Sequence, residues 1–164
     1  MSTNFDVICN YLTSHDFKHE VDAERQMCHA NISLTQVRNR LLVHAPADDV
    51  VVTMLLVLPV IIPPDRRAAA GEFLHRVNYE FRVGSFELDL NAGEVRFRVA
   101  NCFGETLFTD EMIGRWLHLS ATTVDGFFPA LMKVVFAQMA PAQAVEQGEG
   151  YLRDLLKKLE SDNE

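Results

Sequence analysis

Several features that usually announce a function are missing from this chain. Its three cysteines, Cys9, Cys28 and Cys102, are odd in number, widely spaced and without a C-x-x-C pair, which speaks against a disulfide framework or a zinc knuckle. In apolar or strand-like surroundings they read as small buried hydrophobes in a reducing compartment. Basic residues are scarce: 15 Lys and Arg face 23 Asp and Glu, a formal net charge of -8, with a pI near 5.2. The longest basic clusters are Arg66-Arg67 and Lys157-Lys158. Nucleic acid is therefore not an expected partner, because phosphate binding relies on clustered cations that release counterions.

Glycines are scattered, and neither G-x-G-x-x-G nor a Walker pattern occurs, so a phosphate cradle is not expected. The longest apolar run, Val50 to Ile62, is too short to span a bilayer and contains Pro59, so it reads as a buried strand and no membrane is expected. The start, Met1 to Asp6, lacks a basic segment followed by an apolar one, and a cytoplasmic address follows as an expectation.

Catalytic and metal-binding patterns are equally thin. His15 and His19 stand four apart beside Asp16 and Glu20, a spacing that could place two imidazoles on one helical face. No H-E-x-x-H is present, and the segment falls where a first helix should end, so a solvated terminus is the simpler reading. His29, His44, His75 and His118 are isolated. Cys28 and His29 are strand neighbours that point to opposite faces. Cys102-Phe103-Gly104 could present a loop thiol, with burial the simpler alternative, and Asp48-Asp49 and Asp110-Glu111 fit a turn and a helix first turn. No catalytic, cofactor-binding or metal-binding residue is assigned, no cofactor is expected, and the chain reads as a non-enzyme.

What is present is a folding pattern. At 164 residues, 48% hydrophobic, the chain forms one domain over residues 1–164 that buries about two thirds of its unfolded surface. Asn4 can cap a helix carrying Phe5, Ile8, Cys9 and Leu12 on one face. Alternation at Ala30, Ile32 and Leu34 predicts a strand, and Leu41 to Ala45 a second. After a turn at Pro46 to Asp49, Val50 to Leu58 predicts a central strand covered on both faces. Pro63-Pro64-Asp65 opens a helix with Phe73, Leu74, Val77 and Phe81 as its buried stripe. Thr109 caps another, with Ile113, Trp116 and Leu117, then Val124, Phe127, Phe128, Leu131, Val135 and Met139, on its apolar face. Gly126 and Pro129 predict a kink or division there. Residues 141–160 form a last amphipathic helix, and Glu160 to Glu164 an acidic tail.

Between these helices lies a hairpin. Phe86, Leu88 and Leu90 alternate with Glu87 and Asp89, and Val95, Phe97 and Val99 with Glu94, Arg96 and Arg98. A slip of one residue would turn arginines toward the core, so the loop must be even. A loop of two or four residues sets Leu90 opposite Val95, Leu88 opposite Phe97 and Phe86 opposite Val99. On the outer face it pairs Asp89 with Arg96 and Glu87 with Arg98, each worth ~0.2–1 kcal/mol.

The segments Phe73 to Tyr79, Gly84 to Leu90 and Gly93 to Val99 together resemble the signature region of YbjN-like proteins, with Asn78, Gly84, Phe86 and Gly93 as the distinctive spacing. Pro129 and the helix start at Pro141 to Ala144 are similar to that family's C-terminal half. The resemblance runs from about Val50 onward and implies an α+β fold like that of type III secretion chaperones: a curved antiparallel sheet with helices packed on it, often as a homodimer. It also implies a role of the sensory-transduction-regulator kind, with no family active site to transfer. The expected function is a protein-binding module, chaperone-like or regulatory, with an unidentified protein as partner. The alternative is a small-molecule-sensing regulator with an apolar pocket lined by Trp116, Phe127 and Phe128. A homodimer is expected through the Pro64 to Phe81 helix or the Pro141 to Leu159 helix.

Overall fold

The computed structural model describes residues 3–47, 50–104 and 106–161, except for the side chains of residues 159 and 160. The turn expected at Asp48-Asp49 and the end of the acidic tail lie outside them. The chain runs α1 (Asn4–Ser14), β1 (His19–Asp22), β2 (Met27–Ser33), β3 (Arg38–His44), β4 (Val51–Ile61), α2 (Arg67–Tyr79), β5 (Ser85–Leu88), β6 (Glu94–Cys102), α3 (Asp110–Phe136) and α4 (Pro141–Ser161). The strands form one open antiparallel sheet in the order β1-β2-β3-β4-β6-β5. The expected α+β class is borne out.

Alternation builds the core. Cys28, Ala30, Leu41, Val43, Val52, Met54, Leu56, Val95, Phe97 and Val99 are buried on one side of the sheet, with Phe73 and Val77 of α2 and Val124, Phe127 and Leu131 of α3. Phe81, Phe86, Phe97 and Phe127 form an aromatic cluster with centroids 5.0–6.4 Å apart, edge-on in most pairs as ring quadrupoles favour.

The caps follow local chemistry, with one reassignment. Thr3, not Asn4, caps α1: its hydroxyl accepts from the Asp6 N–H while the Asp6 carboxylate accepts from the Thr3 N–H. Asn4 instead ties the helix to a distant loop, its Oδ1 accepting from the Phe108 N–H at 2.6 Å. Thr109 caps α3 as expected.

Two expectations about long elements change. The helix α3 is not divided at Gly126 and Pro129 but runs through them as one element. An interior proline costs roughly 3 kcal/mol, but Phe127, Ala130, Leu131, Val134 and Val135 around it are all buried, and that packing outweighs the loss. Among the described residues α3 alone is long and apolar enough to cross a membrane, yet 61% of its most apolar stretch is buried inside the fold. The strand β4 is central but not fully covered on both faces: Val52, Met54, Leu56 and Leu58 are buried, whereas on the opposite face Val51, Thr53 and Leu55 are only half-buried and Val57 alone is buried. Its β-branched run reflects a sheet interior rather than a second helical layer.

Candidate functional site

The residues that carry the distinctive spacing are structural. The Asn78 carboxamide, at the end of α2, donates to the Phe86 carbonyl and accepts from the Phe86 N–H, both at 2.8 Å. Gly84 has φ +76°, and a Cβ there would meet the Phe97 ring at 2.6 Å. Gly93 has φ +80°, and a Cβ there would strike the Ile62 carbonyl and the Arg67 guanidinium. Arg67 in turn donates to the carbonyls of Ile62, Leu90 and Asn91 at 2.8–3.0 Å, joining the start of α2 to the hairpin loop.

The hairpin register is two residues away from the expected one. Phe86 faces Phe97, Leu88 faces Val95, and Glu87 faces Arg96. Parity survives, so every side chain is on the expected face, but the loop is longer. Asp89 is the cause: its Oδ1 accepts from the Asn91 and Ala92 N–H groups at 2.7 and 3.0 Å, closing an Asx turn. These backbone bonds, helped by Arg67 and Arg96, hold its carboxyl below the usual range. Leu90 is consequently 64% exposed. Glu87 pairs with both Arg96 and Arg98, at 2.7 and 2.6 Å.

The other candidates separate. His15 ends α1 and stacks on Tyr11 at 4.0 Å, while His19 lies on β1 with its Nδ1 2.8 Å from the Phe17 carbonyl. The helix stops at Ser14 and Asp16 takes φ +58°, so the two imidazoles never share a helical face. Among the described residues no group of three metal-ligating side chains converges. Trp116 packs with Phe103 and Phe108, whereas Phe127 packs with Phe73, Phe81 and Phe86. Eleven residues of helix put them roughly 16 Å apart along the axis, so Trp116 and Phe127 do not line one pocket. Of the two helices expected to dimerise, α2 buries Ala70, Phe73, Leu74 and Val77 within the chain, whereas α4 buries Ala144 and leaves Tyr151 and Leu156 exposed.

The sheet's other face is where the surface concentrates. By register, Met27, Leu42, Leu55, Val57 and Val51 share it with His29, His44, Arg40, Arg96 and Arg98. Three adjoining clefts cross it. One of about 570 Å³ is lined by Lys18, Glu20, His29, Asn31 and Arg40. A second, of about 550 Å³, shares Asn31 and Arg40 and continues along Val57 to Ile61 to Glu94. The third, of about 400 Å³, shares Glu94 and ends at Arg96 and Glu87. The middle cleft lies where β4 bulges between Val57 and Ile61 and its pairing with β3 stops at Val57. Pro59, lacking an N–H, belongs at such an irregularity. Asn39, which contributes to that cleft, is 1% exposed, and its carboxamide has no hydrogen-bond partner among the described residues. Arg40 meets Glu94 at 3.8 Å with its side chain 56% exposed, and Arg96 and Arg98 remain 42% and 47% exposed. Sequence reasoning missed this face because burial on both sides of β4 was expected; the signal available was the row of arginines on alternate residues.

An α+β protein with an open antiparallel sheet, helices on one side and a bare, mixed apolar and charged surface on the other is the class this architecture defines. The family model for YbjN, described as "Putative bacterial sensory transduction regulator", matches residues 4–133, and the chain belongs to that family. Among solved structures, the chain is similar to a protein described as "YbjN, a putative transcription regulator from E. coli", with a TM-score of 0.55 and 11% identity over 71% of this chain and 82% of that one. No curated protein matches. The match includes α1 to β3, so the resemblance extends further toward the N-terminus than Val50.

Proposed function

We propose that the protein is a regulatory, chaperone-like binding module that docks a segment of another protein across the bare sheet face. The observation that carries this reading is the band of three adjoining clefts, whose middle one is lined by Val57, Pro59 and Ile61 with arginines around it, on the same sheet face as Leu42 and Leu55. An apolar centre with a polar, arginine-rich rim is the anatomy of a protein interface. Charge agrees: the clefts are lined by four cations (Lys18, Arg38, Arg40, Arg96) and four acids (Glu20, Glu87, Asp89, Glu94), on a chain of net charge -8. An acidic partner therefore meets less repulsion here than the chain's net charge would impose. The family's description as regulators is consistent with action by binding.

The test is the Leu55→Glu variant, made in the full chain and expressed in its native cells. Leu55 is half-buried on the outer face, opposite Leu42 and Arg98, so the fold should persist, as circular dichroism would check. The expected outcome is loss of a partner that the parent protein captures at stoichiometric yield. Retention of that partner by the folded variant would refute the reading. A second copy is the competing occupant: a sedimentation mass that falls from dimer to monomer in the variant would place a homodimer there instead.

A further inference from the structure

We propose that Cys9 of α1 and Cys28 of β2 are an intramolecular disulfide site, closed when the protein meets a two-electron oxidant of the peroxide class. The two residues are 19 apart in sequence, yet their Sγ atoms lie 3.2 Å from one another in direct contact. A disulfide bond is ~2.05 Å long, so closure requires about 1 Å of approach. The pair is asymmetric in access. Cys9 is partly exposed on α1, and Cys28 is fully buried on the helix-facing side of β2, between Val21 and Val43 in the neighbouring strands. Burial, together with the Cys9 thiol, pushes the Cys28 thiol up to about 12, so Cys28 stays protonated until its partner has reacted.

Access sets the order of events. The Cys9 thiolate attacks one peroxide oxygen; the O–O bond breaks, the other oxygen leaves as water after taking a proton, and Cys9 becomes a sulfenic acid. Cys28 sulfur then attacks the Cys9 sulfur. The S–O bond breaks, and the hydroxyl departs as water with the Cys28 proton. Two thiols and one peroxide give one disulfide and two waters, each sulfur losing one electron. The new bond pins α1 to β2 and closes a loop that contains β1. It requires nothing of the bare sheet face.

The full chain carrying Cys102→Ser tests this, because Cys102 is exposed and would otherwise complicate the products. After treatment with hydrogen peroxide, the intact mass should fall by two hydrogens. A proteolytic map should link the Cys9 and Cys28 peptides, and dithiothreitol should reverse both changes. The oxidised protein should melt higher by about 5 °C or more, since a cross-link restricts the unfolded chain. Adding Cys9→Ser should abolish the mass loss. The proposal is overturned if Cys9 gains oxygen to sulfinic acid while Cys28 still alkylates, or if the only disulfides join two molecules.

Discussion

Gly93 and Asp89 show how much of the hairpin depends on single positions. Gly93 is in the left-handed region with the Ile62 carbonyl and Arg67 where a side chain would go, and its own carbonyl accepts from the Ile62 N–H at 2.8 Å. Gly93→Ala should therefore lower the unfolding free energy by about 1–3 kcal/mol, measured by urea titration. Asp89 gives a pH signature. Its folded carboxyl sits below the ordinary range, so its stabilisation is present above about pH 4 and is lost as pH falls through the folded value. The melting-temperature gap between the parent and Asp89→Ala should be widest near neutrality and shrink in acid; a gap constant from pH 7 to 2 would contradict this. Sequence alone could place Asp89 on the outer face, but not choose between two uses of one carboxylate. A cross-strand pair with Arg96 and an Asx turn both satisfy alternation, and two backbone N–H groups within 3.0 Å decide for the turn.

Elements are joined by buried polar latches that no periodicity reveals. Asp125, in the middle of α3, is 5% exposed and accepts from the backbone N–H groups of Thr35 and Gln36 in the β2–β3 turn. Removing such an acceptor leaves the donors with weakened pairing, so Asp125→Ala should cost about 1.5–3 kcal/mol. Amide exchange should quicken first at Thr35 and Gln36; unchanged exchange there would show that the turn holds itself. These latches explain what the sequence could and could not give. The apolar stripes of α1, α2, α3 and α4 were readable because burial leaves a 3.6-residue mark. The short strand β1, His19–Asp22, was not, since its exposed, charged residues are those of an edge. Likewise nothing in a spacing of 19 residues hints that Cys9 touches Cys28.

For the whole molecule, the division of labour between the two faces of one sheet matters most. One face is committed to α1, α2 and α3, with α4 packed against α2 and α3. The other keeps Leu42, Leu55 and Val57 under no helix, with Ile61 61% exposed at the end of the same strand. The class of fold was legible from element order and from the signature residues. The candidate site was not, because an alternating strand reads the same whether its outer face meets solvent or a partner. In the folded chain the distinction comes from which strands are central, and Arg40, Arg96 and Arg98 acquire meaning only when β3, β4 and β6 lie side by side.

The bond pair between Asn78 and Phe86 has a consequence for behaviour in a crowd. Strand β5 is the last in the sheet, and an outermost strand offers unpaired amides on which a foreign strand can continue the ladder. Asn78 occupies one donor and one acceptor of Phe86, so a carboxamide stands in for the next strand. Four residues long, β5 then has little backbone left to template growth. Asn78 thereby shortens the free edge that β5 offers to a foreign strand as well as tying α2 to β5.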